Sequence, residues 1–197
     1  MNASVKKSLS TLSLIAGLSL TQPAVAEMAA AGNYSIDQAH TFITFSVSHL
    51  GFSELQGRFN TFEGSMKYVP NGASSVDIKI DAASVDSNHQ KRDDHLRGPD
   101  FFNVKQFPEI KFNSSKVHYS ASGEPSRVDG KLSLHGVTKP VSLEVTPVGA
   151  GTDPWGGYRT GYNASTKIKR SDYGMNYMPG GIGDEITIKL YVEMTKK

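Results

Sequence analysis

Residues Thr41 to Leu50 read TFITFSVSHL. In an extended chain Ile43, Phe45, Val47 and His49 fall on one side, and Thr44, Ser46 and Ser48 on the other. Successive side chains of a strand point to opposite faces, so this alternation marks a strand with one dry and one wet face. The same period of two recurs downstream. Leu55, Gly57 and Phe59 alternate with Glu54, Gln56 and Arg58, and Val76, Ile78 and Ile80 with Asp77, Lys79 and Asp81. Ile110 and Phe112 follow, then Val128, Gly130, Leu132 and Leu134, then Val141, Leu143 and Val145. Tyr162, Ala164, Thr166 and Ile168 precede a last run of Ile186, Ile188, Leu190 and Val192.

Turn signals separate these runs. Asn71-Gly72 is a two-residue hairpin signal, and Ser122-Gly123, GVTKP (136–140), GTDPWGG (151–157) and PGGIG (179–183) do similar work. About eight strands result. An antiparallel sheet of that size with one dry face stacks as a sandwich or closes on itself, and closure removes its exposed edges. The expected fold is all-β, an eight-stranded antiparallel barrel. Such a barrel has an interior just wide enough for side chains or one narrow ligand.

One segment breaks the pattern. SNHQKRDDHLRG (87–98) is charged and unalternating, with Ser87 or Asn88 as a candidate helix cap and Gly98 as a left-handed stop. It runs into Gly98-Pro99 and a cluster of Phe101, Phe102 and Phe107. A short helical excursion near residues 87–104 is expected to lie over one barrel end, with the phenylalanines closing or lining that end.

The first 26 residues are expected to be a secretory signal peptide. Lys6 and Lys7 start it, Leu9 to Leu20 is a short apolar run, and Ala24-Val25-Ala26 has the small-x-small form of a cleavage site. Removing 26 of 197 residues leaves 171, one domain (27–197) expected in the periplasm and spanning no membrane. Two of the 21 basic residues go with the leader, leaving 19 against 19 acidic ones. A formally neutral chain argues against a nucleic-acid binder. The absence of Cys excludes thiol catalysis and thiolate metal sites.

Candidate chemistry is sparse. No pair among the six histidines has the i, i+4 spacing of a helical zinc site, and no metal or cofactor is expected. No G-x-S-x-G elbow occurs, and Asp93-Asp94 reads as a solvated helix face. His49 is placed by parity on the dry face, where it would satisfy a local hydrogen bond or meet a polar ligand group. Lys91, Arg92 and Arg97 are interspersed with Asp93, Asp94 and Asp100, a pattern of salt-bridged surface. Arg170 continues the inward line of Ile168 and needs a partner, either an Asp of the helix or an anionic ligand head. The mixture of large inward residues with Gly57, Gly130, Ala164 and Thr166 fits both a solid tapered core and a lengthwise apolar cavity.

Four blocks, HTFITFSVSHLGFSELQGRFNTFEG (40–64), HLRGPDFFNVKQFPEIKF (95–112), GKLSLHGVTKPVSLEV (130–145) and KRSDYGMNYMPGGIGDEITIKLYVE (169–193), resemble the YceI-like family. These are periplasmic polyisoprenoid-binding proteins with a lipocalin-like barrel. The resemblance implies a binding or carrier protein, not an enzyme, that holds a long isoprenoid chain such as a polyprenyl phosphate or a quinone tail. The expected apolar tunnel is then Phe45, Val47, His49, Phe59, Ile78, Ile80, Phe101, Phe102, Phe107, Leu132, Leu134, Ile168, Ile188 and Leu190. Arg92, Arg97 and Arg170 are the expected contacts of an anionic head. A membrane redox protein is a partner compatible with such a carrier. Two other readings stay open: an enzyme acting on an isoprenoid head group with His49 as base, and a ligand-free, stress-related interaction protein.

Overall fold

The computed structural model describes residues 28–197. The expected signal peptide, residues 1–26, lies outside the described residues. Eleven extended segments follow: β1 (Gly32–Ile36), β2 (Phe42–His49), β3 (Ser53–Phe59), β4 (Phe62–Tyr68), β5 (Ser75–Asp81), β6 (Val85–Asp86), β7 (Glu109–Tyr119), β8 (Pro125–Leu134), β9 (Val137–Thr152), β10 (Tyr158–Lys169) and β11 (Ile182–Lys196). They amount to eight strands, because three are interrupted. β2 and β1 take successive stretches of β11, from His49↔Ile182 to Phe42↔Tyr191 and then from Ile36↔Met194 to Tyr34↔Lys196. β3 and β4 pair with β2 and β1 respectively, and β6 and β5 pair with β3 and β4. Beyond these, β5, β7, β8, β9, β10 and β11 pair in order, all antiparallel. The sheet is therefore a closed eight-stranded barrel, as the alternation predicts.

Three of the segments are not in the sequence reading: β1, β4 and the two-residue β6. β1 is five residues long and carries a single fully buried side chain, Tyr34. β4 buries Phe62, Met66 and Tyr68, and the turn after it is centred on Pro70 and Asn71, with Gly72 N bonded to Val69 O at 2.9 Å, and not on the expected Asn71-Gly72 pair.

The charged segment forms one short helix, α1 (Gln90–Arg97). Its cap is neither Ser87 nor Asn88. His89 accepts from the Arg92 N–H at 3.3 Å. Gly98 closes the helix with φ −74° and ψ 175°, extended and not left-handed. Pro99 accounts for this, since a residue before proline is driven to extended backbone. Asp93 is also not solvated. It is buried and accepts the Ser87 N–H at 2.8 Å together with the Ser87 hydroxyl, which ties the helix to the chain that enters it. β7 pairs with β5 but not with β6, and α1 with residues 98–107 fills the space between β6 and β7.

The two ends of the barrel differ. At the end bearing the β9–β10 turn, Tyr34, Met66, Tyr68, Tyr162 and Met194 pack into a buried plug. Burial pushes the Tyr162 phenol up to about 12. At the same end Arg159 Nη1 donates to Asp37 Oδ2 and Glu193 Oε1, each at 2.6 Å, and its Nε to Asp153 Oδ2 at 2.7 Å. These bonds join β10, β11, the β9–β10 turn and the residue after β1 across the closing seam. Hydrogen bonds from His40 and then Arg159 hold the Asp37 carboxyl at about 2. No helix among the described residues is long and apolar enough to cross a membrane.

Replacing Arg159 by Met strips three carboxylates of their shared cation, so Arg159→Met is expected to melt a few degrees below the parent. Asp37 has a depressed pKa in the folded chain. Its stabilisation is full above the unfolded value of about 3.9 and is lost as pH falls toward 2. The variant should show a shallower loss of stability between pH 4 and pH 2, measured as urea midpoints across that window. Parallel profiles for parent and variant would show that Arg159 contributes nothing to the seam.

Candidate ligand-binding cavity

The half of the barrel opposite the tyrosine plug encloses a cavity of ≈ 710 Å³. Its walls follow from strand parity. Phe45, Val47 and Phe59 enter from β2 and β3, Ile78 and Ile80 from β5, Leu132 and Leu134 from β8, and Ile168, Ile188 and Leu190 from β10 and β11. Ile43, Leu55, Ile110, Phe112, Val141, Leu143, Thr166 and Ile186 complete the wall. All eight are dry-face residues of the alternating runs that the expected tunnel leaves out. Leu96 comes from the helix, Met175, Tyr177 and Met178 from the segment before β11, and Ile182 from the first position of β11. Their loops carry no period, so no sequence signal marked them.

The small residues do less than expected to open the interior. A methyl group on Gly57 would strike the Phe45 ring, and one on Gly130 would lie 2.5 Å from Phe112 Cζ. At both positions a phenyl ring already occupies the space that glycine leaves. The cavity owes its volume to the barrel's width rather than to its glycines.

Phe101 and Phe102 form the lid. The Phe102 ring stands edge-on to Phe59 at 5.5 Å and to Phe45 at 6.3 Å. Phe101 packs against His95 at 5.0 Å and Tyr177 at 5.4 Å, and His95 bonds Asp100 Oδ2 at 2.8 Å. Phe107 is absent from the cavity wall. Its ring stands edge-on to His135 at 4.8 Å and fills the side of the β8–β9 turn, where a side chain at Gly136 would meet it at 2.5 Å.

The polar candidates separate. His49 lies at the rim and is exposed, not buried on the dry face, because β2 ends there and the chain turns outward. Arg97 is not in the wall. Its donors go to the carbonyls of Ala83 at 2.8 Å and Val85 at 2.9 Å and to Asp94 at 3.1 Å, which pins α1 to the barrel. Arg170 lines the cavity and is 5% exposed. Its partner is neither a helix Asp nor any other carboxylate. Three backbone carbonyls accept from it, Met175 at 2.6 Å, Gly183 at 2.9 Å and Ile182 at 3.0 Å. Arg92 lines the cavity and donates to the Ser87 hydroxyl at 2.7 Å and the Ser87 carbonyl at 2.5 Å. Ser53, Gln56 and His95 are further polar groups of the wall.

No Asp or Glu among the described residues lines this cavity. The arrangement offers extensive apolar surface and a rim of neutral and cationic donors, the usual make-up of a site for a largely apolar ligand with one polar end. Asp37, His40 and Glu193 approach one another closely enough to hold a cation, but at the opposite end, where Arg159 already supplies the positive charge. A second apolar pocket of ≈ 70 Å³ lies towards the tyrosine plug. It shares Ile78, Leu143 and Leu190 with the main cavity, so those three side chains form the partition between the two.

Residues 34–194 match the profile of the YceI-like domain. The chain is 41% identical over 190 residues to a UPF0312 protein of Shewanella baltica, covering 94% of this chain and 97% of that one. A UPF0312 protein of Pseudomonas aeruginosa is 41% identical over 193 residues, 96% and 97% of the two chains. Among solved structures, Burkholderia cenocepacia BcnA superposes with a TM-score of 0.70 at 25% identity, over 80% of this chain and 98% of that one. A polyisoprenoid-binding domain from Saccharophagus degradans superposes with a TM-score of 0.65 at 16% identity, over 83% and 98%, a likeness of fold.

Arg170→Met would leave the carbonyls of Met175, Ile182 and Gly183 without their donor. Loss of these bonds is expected to cost about 2–4 kcal/mol and to raise hydrogen exchange in residues 174–183. Unchanged stability and exchange would show that the guanidinium is not needed to hold that segment.

Proposed function

The chain belongs to the YceI-like family, and from that premise we propose that it is a periplasmic binding or carrier protein for a long-chain isoprenoid lipid held inside the barrel. A polyprenyl phosphate or an isoprenoid quinone is the ligand class meant. The observation that carries this reading is the cavity. It is apolar along the barrel axis, free of carboxylates and bordered by polar groups at one end only. Each CH₂ withdrawn from water is worth about 0.8 kcal/mol, so a long isoprenoid cannot cross an aqueous compartment unaided. The same ligand class is named for the Saccharophagus degradans domain that shares the fold. The leader read in residues 1–26 supports the periplasmic location.

Size sets the scale of the ligand. A cavity of ≈ 710 Å³ is about five times the ~150 Å³ apolar void that accepts benzene, which scales to room for roughly thirty carbon atoms, or about six isoprene units. Longer chains would need the partition at Ile78, Leu143 and Leu190 to yield, or would leave their head-proximal units outside. Arg92 and the exposed His49 are the polar groups best placed to meet a head group at the rim. Arg170 lines the cavity there with its donors already turned to carbonyls.

Native mass spectrometry of protein purified from the periplasm, followed by solvent extraction, tests the reading. A stoichiometric isoprenoid is expected, its mass giving chain and head. Leu134→Asp should abolish occupancy by placing a charge in the wall. Thr166→Phe should stay folded and lose at least about tenfold in uptake of added polyprenyl lipid by filling the cavity. A barrel that is empty as purified and also refuses added polyprenyl lipid would overturn the proposal.

A further inference from the structure

Nine large hydrophobic side chains stand exposed among the described residues, and four of them, Leu50, Phe52, Tyr177 and Met178, lie on two loops that frame the cavity mouth. Phe52, at the tip of the β2–β3 hairpin, is 89% exposed. His49 and Ser53 on either side of this tip line the cavity, as do Tyr177 and Met178. A hydrogen bond from Leu50 N to Gly181 O, 2.7 Å, joins the two loops into one rim. The exposed apolar patch is thus continuous with the apolar interior.

The backbone makes this display costly. Phe52 N bonds His49 O at 3.0 Å across a two-residue turn whose central residues have φ of +52° at Leu50 and +72° at Gly51. That turn favours Asn or Gly at its first central position, and a bulky residue there is strained. The β8–β9 turn of the same barrel has φ of +50° at His135 and +76° at Gly136, and so holds a polar side chain at the position that Leu50 occupies here. Leu50 therefore forgoes the residue that suits the turn and keeps an apolar side chain at the mouth. Charge is excluded as well. Neither His49–Ser53 nor Gly174–Gly183 contains Asp, Glu, Lys or Arg, in a chain that is 20% charged.

We propose that this rim docks the barrel, mouth first, on the surface of a lipid bilayer, with Phe52, Leu50 and Met178 inserted at the level of the lipid headgroups. The proposal rests on the carrier reading above, since a bilayer is where an isoprenoid would be collected or delivered. Two narrow, uncharged loop tips carrying aromatic and aliphatic side chains suit shallow insertion, in which buried apolar area supplies the affinity. Residues of the rim that also line the cavity would give the ligand an unbroken apolar path from bilayer to barrel.

Flotation of the purified protein with vesicles of phosphatidylethanolamine and phosphatidylglycerol tests this. The parent is expected to float with the vesicles. Phe52→Ser should weaken vesicle affinity by about tenfold or more. Leu50→Asn should weaken it too while holding or raising the melting temperature, because Asn suits the turn, so the loss cannot be attributed to misfolding. Trp155, the only tryptophan, lies at the opposite end of β10 and is 84% exposed. Its emission should not shift on vesicle binding, whereas that of a Phe52→Trp, Trp155→Phe double variant should move to the blue. A parent that stays in the aqueous fraction, variants that float equally, or a blue shift at Trp155 would overturn the proposal, including where the rim proves to bind a membrane protein instead. Bound isoprenoid, read by native mass spectrometry, should remain stoichiometric in Phe52→Ser. A barrel that takes no isoprenoid yet floats through Phe52 would defeat the carrier reading and leave the docking intact.

Discussion

Everything in this molecule depends on β11 having a partner along both edges. One edge runs against β10 from Lys169↔Glu185 to Arg159↔Thr195. The other is shared between β2 and β1. A sheet with that last edge open would expose a row of unpaired backbone groups and a slab of apolar side chains. Closing it creates an inside, and only then does the alternation of the sequence acquire a function. The interrupted first strand divides that inside. Towards β1 and β4 the barrel is filled by tyrosines and methionines, while towards β2 and β3 it encloses the large cavity.

The legible part of the sequence was the part governed by period two. Alternation places Phe45, Ile78, Leu132, Ile168 and Leu190 inward, and the structure puts all five in the cavity wall. This works because a closed antiparallel sheet leaves no choice of face: parity fixes the side chains of each stretch between the register shifts at Gly161/Tyr162, Ile182/Ile186, Ser114/Lys116 and His118/Tyr119. What lay at strand ends was not legible. Parity carries His49 inward, but the turn after it faces water. Parity also carries Arg170 inward, correctly, yet its partners are carbonyls of a loop that alternation does not describe. Phe107 belongs to the aromatic cluster in sequence and to the β8–β9 turn in space, because Asn103 and the turn that follows it rotate the chain away from the mouth.

The polar groups of α1 show how a charged segment can be structural. Asp93 and Arg92 are bound to Ser87, in the chain that enters the helix, and Arg97 to the carbonyls of Ala83 and Val85, so that all three hold the helix over the gap between β6 and β7. Composition alone reads such a segment as solvated surface. The burial of Asp93 is the feature that composition misses, since a carboxylate goes inside only when donors await it there.

The tyrosine plug makes the barrel a cup rather than a pipe. Whatever occupies it enters and leaves by retracing a single path, last part in and first part out. Departure then means withdrawing the whole buried length through one mouth, and each further methylene held inside adds about 0.8 kcal/mol, or roughly a fourfold longer stay. Dwell time in such a vessel is graded by the length of the occupant, while the speed of its arrival is set at the rim.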